Sequence, residues 1–187
     1  LLGDPDMPQR SQRSLSRIQR AGRDMEAVID AFLILAREAD VAPQAEDFDV
    51  RAIVDEEVQR VREGSNCPKP GVSLEVVEEG RIRLHAPPRV LGLMLGNLLD
   101  NACRFTEKGR IEVRVGHDRL EVRDTGIGMS AETIEHAFDP FYRADLEAPQ
   151  GKGMGLSIVR RLGERFGWPV SLESQPGRGT VATIRLG

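Results

Sequence analysis

The sequence predicts an α+β fold, a two-layer α/β sandwich in which a mixed sheet carries helices on one face, preceded by a long helix taken from a truncated helical bundle. Three observations lead there. Short segments of period-two alternation are joined mainly by hairpin-sized turns; amphipathic segments of helical period are interleaved with them; and a heptad stripe near the start has no counterpart later in the chain. The 187 residues suffice for one ordinary domain and an appendage, and a 40% hydrophobic content is that of a packed protein. Aromatics make up only 4%, so the core is expected to be aliphatic.

Leu15, Ile18, Gly22, Met25, Ile29, Phe32 and Ala36 recur at alternating spacings of 3 and 4 residues, which predicts a heptad helix over Ser11 to Ala39. Val28, Leu33 and Leu35 widen that stripe beyond a two-stranded seam and suit a four-helix bundle. Residues 1–40 are thus a partial bundle domain, 41–49 a linker containing Pro43, and 50–187 the main domain. Within it Val50 to Arg62 is amphipathic and helical, and Glu63 to Gly71 is turn-rich. Ser73 to Val77 and Arg81 to His85 read as two strands around a Glu79-Gly80 turn. Pro87 and Pro88 suit the first turn of a helix running to Phe105. Gly109 to Val115 and Arg119 to Arg123 alternate as a hairpin. Asp124 to Gly155 is loop-rich, Leu156 to Phe166 helical, and Val170 to Ser174 and Thr180 to Leu186 are strands joined by a glycine-rich turn.

A net charge of -4 with mixed signs argues against a nucleic-acid groove and against a polybasic membrane anchor. No apolar run reaches the roughly 18 residues that span a bilayer. Cys67 and Cys103 lack CxxC or zinc-ligand spacing, so neither a disulfide framework nor a zinc site is expected, and a reducing cytosol fits.

Chemistry concentrates in four elements: NLLDNACRF (97–105), DTGIGM (124–129), GKGMGLSIV (151–159) and GRGT (177–180). The GKGMG loop entering a helix can aim backbone N–H groups and the helix dipole at phosphate. It is not a Walker loop, because Lys152 is followed by Gly153, and it lacks dinucleotide-fingerprint spacing. Asn97 and Asn101, at i and i+4, share one helix face, and their carbonyl oxygens are hard neutral ligands for Mg²⁺ beside triphosphate. Arg104 stands one turn on, within reach of phosphate. Leu98, Leu99, Ala102 and Phe105 are left for the core. Asp124 offers a carboxylate to an exocyclic amine such as adenine N6, with Gly126 and Gly128 letting a base lie against backbone.

In this order and spacing the four elements resemble the N box and three glycine boxes of the GHKL superfamily, more closely the catalytic and ATP-binding domain of sensor histidine kinases. FDPFYR, Phe138 to Arg143, is similar to that family's phenylalanine box, and the heptad helix to the second helix of its dimerisation and phosphotransfer domain. The resemblance implies a Bergerat ATP-binding fold with ATP and Mg²⁺ as cofactors. It makes Asn101 the main Mg²⁺ ligand with Asn97 assisting, and places Arg104 near the phosphates. Asp124 would bind adenine, with Gly126, Gly128 and Met129 at the base and Thr180 beside it. Phe138 to Gly155 would form an ATP lid, with Arg143 and Lys152 as phosphate contacts and Gly153, Met154, Gly155 and Leu156 closing over the triphosphate. Implied partners are a histidine-bearing helix of the same or a partner kinase, a response-regulator receiver domain, and a second copy through the N-terminal helix. The implied location is the cytoplasmic part of a membrane-anchored bacterial sensor.

Hydrolytic members of the superfamily place a glutamate base one turn before the metal-binding asparagine; here that position is Asn97, an amide that cannot take a proton from water. The family's acceptor box, a histidine followed by an acid, is absent: His85, His117 and His136 read as surface or packing residues. The chain is therefore expected to bind ATP without phosphorylating itself. Two other readings stay open, an ATP-sensing interaction module and an anti-sigma-type serine kinase, the latter with no need of the heptad helix.

Overall fold

The structure, a computed structural model, describes Gly22 and residues 44–63, 67–142 and 153–187. The heptad helix, apart from helical Gly22, and the lid residues Arg143 to Lys152 lie outside the described residues. In chain order the elements are β1 (Glu46–Asp49), α1 (Val50–Glu63), β2 (Val72–Glu78), β3 (Arg83–Ala86), α2 (Pro88–Phe105), β4 (Gly109–Val115), β5 (Arg119–Asp124), α3 (Ala131–His136), α4 (Gly155–Phe166), β6 (Val170–Gln175) and β7 (Gly179–Arg185).

Helix α1 buries Val50, Ile53, Val54, Val58 and Val61, one stripe at helical spacing. In α2, Pro88 occupies the first turn, where a missing N–H loses no bond, and Val90, Leu91, Met94, Leu95, Leu98 and Leu99 fill the interior. Extended backbone at Thr106 ends that helix, its N–H still bonded to Ala102 O. Helix α4 buries Ile158, Val159 and Leu162 and stops at Gly167, whose φ of 71° suits the left-handed cap. No helix among the described residues is long and apolar enough to cross a membrane.

Five strands form one sheet in the order β2-β4-β5-β7-β6, with β2 and β4 parallel and the other pairs antiparallel. Direct cross-strand partners share a face, so the register sorts the sheet into rows. Val115, Leu120, Ile184 and Val170 make one row, and Val113, Val122, Ala182 and Leu172 the next. These are the apolar rows. Their neighbours on the opposite face are charged and stitched together. Arg114 bonds Glu112 and reaches Glu79 at 2.7 Å, while Glu121 is gripped by Arg119 at 2.8 Å and Arg123 at 2.7 Å. The pairing to those two arginines overcomes burial and holds the Glu121 carboxyl below its usual range. One face is thus core and the other solvated, as expected for helices on one side.

Five sequence-based expectations fail. The two strands flanking Glu79-Gly80 are not partners: β2 pairs in parallel with β4, and the turn is tied to the end of β4 by Glu79 N–H and Gly80 N–H donating to Val115 O. β3 instead pairs with β1, inside the expected linker, which makes Glu46 to Asp49 a strand and leaves Val50 N–H bonded to Ile82 O at 3.0 Å. Part of the expected loop tract is helix α3, capped by Ser130 Oγ accepting from Thr133 N–H.

The cysteines are the fourth correction. Cys67 and Cys103 form a disulfide across 36 residues, with Cα atoms 5.8 Å apart. Their spacing carries no local signature because they meet only through tertiary structure: β2–β4 pairing, continued by Gly109 N–H to Gly71 O, brings the turn before β2 against the last turn of α2. Last, Phe105 is 45% exposed. It lies past the point where α2 covers the sheet, so it leaves the core that Leu98, Leu99 and Ala102 fill.

Candidate functional site

The third row on the covered face begins apolar and turns polar. Leu74 and Ile111 are followed, strand by strand, by Asp124 on β5, Thr180 on β7 and Ser174 on β6. An aspartate, a threonine and a serine stand side by side where the first two rows place only aliphatic residues. Asp124 is half-buried; its Oδ1 accepts from Gly126 N–H at 2.8 Å, and Thr180 N–H also bonds it. Burial pushes the carboxyl above its usual range, and those two N–H bonds only partly offset it. Such a carboxylate gains from a neutral ligand that donates to it.

The loop after Asp124 is locked to the β6–β7 turn. Gly177 N–H donates to Ile127 O at 2.7 Å, and Met129 N–H donates to Ser174 Oγ at 2.8 Å. Gly128 has φ of 66°, and a Cβ there would run into Gln175 O. No other residue fits that approach. Gly126 is similarly pressed on Phe105 O, which in turn accepts Ile127 N–H at 3.2 Å. The Phe105 backbone is thus held against the loop that follows Asp124, and its side chain is exposed.

On α2, Asn97 and Asn101 lie half-buried one turn apart. Asn97 Nδ2 donates to Leu93 O at 2.8 Å, which fixes the amide and leaves its oxygen toward Gly155. A Cβ on Gly155 would stand 3.0 Å from Asn97 Oδ1 and 3.8 Å from Asn101 Nδ2. Both amides thus meet the first residue of α4. That helix starts without a side-chain cap and without an acid in its first turn, so its N-terminal N–H groups suit an anion. Arg104 is half-buried, its guanidinium carbon 6.0 Å from the Phe105 ring centre, and its carbonyl accepts from Lys69 Nζ at 2.9 Å.

The ends of the expected lid are anchored. Phe138 packs under Arg160, 5.6 Å from the ring centre, and Phe141 N–H donates to Gly153 O at 2.9 Å. Met154 and Leu156 lean on the core. Arg143 and Lys152 lie outside the described residues. Among the described residues no group of three or more His, Cys, Asp and Glu is placed to hold a metal. A cation here would be shared by amide oxygens and ligand phosphates, and the Asn97 oxygen, fixed toward the start of α4, fits that role.

The fold therefore gathers Asn97, Asn101, Gly155, Asp124, Gly126, Gly128, Met129 and Thr180 around one end of the sheet. Sequence reasoning missed Ser174 and the exposed ring of Phe105. Ser174 had a signal: it follows Val170 and Leu172 at period two, a polar residue where the alternation calls for an apolar one.

Residues 86–187 match the family described as histidine kinase-, DNA gyrase B- and HSP90-like ATPase. Sensor histidine kinase AruS of Pseudomonas aeruginosa is 31% identical over 198 aligned residues, spanning 97% of this chain and 20% of that protein. Sensor histidine kinase YkoH of Bacillus subtilis is 42% identical over 100 residues, 50% of this chain and 22% of the relative. The chain thus spans about a fifth of the length of these relatives. Among solved structures, the histidine kinase AdeS of Acinetobacter baumannii superposes with a TM-score of 0.70 at 19% identity, covering 97% of this chain and 86% of that one.

Proposed function

Because the chain belongs to the histidine kinase-, DNA gyrase B- and HSP90-like ATPase family, we propose that it is the ATP-binding catalytic module of a sensor histidine kinase, transferring the γ-phosphoryl group of MgATP to a histidine on another helix of the same or a partner kinase. Onward transfer would reach an aspartate of a response-regulator receiver domain. The parent is read as a membrane-anchored sensor with this module on the ATP-containing, cytoplasmic side, dimeric through its N-terminal helix.

The observation that carries this reading is the amide at Asn97. Its Nδ2 is committed to Leu93 O and its oxygen is turned toward Gly155, so the position beside the phosphates presents a ligand and no base. Asp124 would accept from the amine of adenine, and Phe105 would stack on the base face. Asn101 and Asn97 would hold Mg²⁺, and the uncapped start of α4 would hold the phosphates. When bound, Mg²⁺ would supply charge neutralisation at the phosphates. The chain's own share is to orient: Asp124 at the base, the two amides and the uncapped start of α4 would together hold the γ-phosphorus for in-line approach. A neutral imidazole nitrogen forms the N–P bond while the bond to the bridging oxygen breaks, and ADP leaves with that electron pair. No base is needed for the attack, because the attacking nitrogen already carries a lone pair; the proton on the other ring nitrogen stays on the phosphorylated ring and is lost to solvent afterwards.

Incubation with γ-labelled ATP and a separate polypeptide bearing a histidine-acid box tests the reading. Acid-labile label on that histidine is expected. Tight ATP binding with no transfer to any supplied histidine overturns the kinase assignment in favour of a nucleotide-sensing module.

A further inference from the structure

Ser174 has one hydroxyl and three polar neighbours. Its Oγ donates to Gly179 O at 2.7 Å, accepts from Met129 N–H at 2.8 Å, and lies 3.0 Å from Thr180 Oγ1. A hydroxyl carries one proton and two lone pairs. A carbonyl cannot donate, so the single Ser174 proton is committed to Gly179 O. The Met129 N–H occupies one lone pair. The remaining contact must then be Thr180 donating its own proton to Ser174.

This assignment has a consequence on the other side of Thr180. Strand β7 lies between β5 and β6, so Ser174 and Asp124 flank Thr180 from opposite directions in one row. With its proton held toward β6, Thr180 presents only acceptor lone pairs toward Asp124. A carboxylate and a hydroxyl oxygen side by side accept from an amino group and repel a carbonyl. We propose that Ser174 is a positioning residue that sets base specificity: by holding the Thr180 proton, it makes the Asp124–Thr180 row a double acceptor that takes a 6-aminopurine and rejects a 6-oxopurine. This rests on the reading of the site as a nucleoside-triphosphate pocket.

Titration calorimetry with ATP and with inosine triphosphate, which exchanges the 6-amine for a carbonyl, tests it on the full chain. The wild-type protein should prefer ATP. In Ser174→Ala the Thr180 proton is free to turn, and the preference should shrink by about three- to tenfold, the value of one hydrogen bond. Ser174→Thr retains the hydroxyl and should restore the wild-type ratio. A purely structural Ser174 would weaken both nucleotides alike, so an unchanged ratio in a Ser174→Ala protein with a cooperative thermal melt overturns the proposal. If that variant does not fold, Thr180→Val removes the hydroxyl that Ser174 is argued to orient, and an unchanged ratio there overturns it equally. A wild-type chain that binds both alike overturns the proposal as well, whereas one that binds neither nucleotide overturns instead the assignment of the site.

Discussion

Breaking the Cys67–Cys103 disulfide should remove a large share of this protein's stability. The bond closes a loop of 36 residues. In the chain-entropy treatment a loop of that length withholds about 13 cal/mol/K from the unfolded ensemble, which is about 3.8 kcal/mol at room temperature. Domains of this size are stable by only about 5–15 kcal/mol in total, so the loss is visible in any unfolding curve. Cys103 is buried, and a serine there would bury a hydroxyl; Cys67→Ser with Cys103→Ala avoids that added cost. Urea unfolding followed by far-ultraviolet circular dichroism would compare the oxidised protein, the same protein in dithiothreitol, and the double variant. The last two should share a midpoint below the first, and their melting temperatures should drop by roughly 10 °C. Coincident midpoints for all three, or two titratable thiols in the air-oxidised protein, refute the reasoning.

Asn101→Ala should abolish Mg²⁺-dependent ATP binding while leaving the fold intact; equal affinity in calorimetry would refute its metal role. Gly155→Ala puts a methyl group 3.0 Å from Asn97 Oδ1, and ATP affinity should fall about tenfold or more with little change in melting temperature. Thr106 Oγ1 is buried without a hydrogen-bond partner, so the isosteric Thr106→Val should leave stability equal or raise it by about 1–2 kcal/mol; a loss of that size in chemical denaturation shows that the hydroxyl is satisfied. Because the folded Asp124 carboxyl titrates above its unfolded value near pH 4, the folded state holds that proton more tightly and wild-type stability falls as pH rises through the folded pKa. Asp124→Asn should therefore gain in relative stability across that window and converge with wild type below it, while losing adenine binding; a stability gap that does not change with pH would falsify this.

The helices were legible because their apolar residues recur at 3 and 4, and the four chemical elements because glycines and amides interrupt an otherwise aliphatic pattern. What the sequence hid was pairing. Nothing in Ser73 to Val77 distinguishes a strand that will pair in parallel with a segment 37 residues on from one that folds back on its neighbour, since period-two alternation fixes faces and not partners. The disulfide was hidden for the same reason, because Cys67 and Cys103 meet only after β2 and β4 have paired. Phe105 shows a subtler limit: its spacing continues the stripe of Leu98, Leu99 and Ala102, but the sheet ends beneath it. A periodic pattern says which way a side chain points and not whether anything lies there to cover it.

That edge, where the helical stripe outruns the sheet, also explains how the fold makes a pocket without giving up core. Two of the three inward rows are closed by aliphatic side chains, and only the third, Asp124–Thr180–Ser174, is polar. The row needs its partners in place before a ligand arrives, since a half-buried carboxylate and two hydroxyls facing an apolar layer would otherwise be costly. Gly126 N–H, Thr180 N–H, Met129 N–H and Gly179 O supply them from the two glycine loops. The same loops are therefore both the satisfaction of the row and the wall of the site. A cradle of this kind supplies orientation and charge, while the amide at Asn97 withholds a base. In the proposed site the choice of reaction would pass to whatever nucleophile reaches the γ-phosphate: water, which needs a proton taken from it, would gain nothing from Asn97, and an imidazole, neutral above a pKa of about 6.5, would bring its own lone pair.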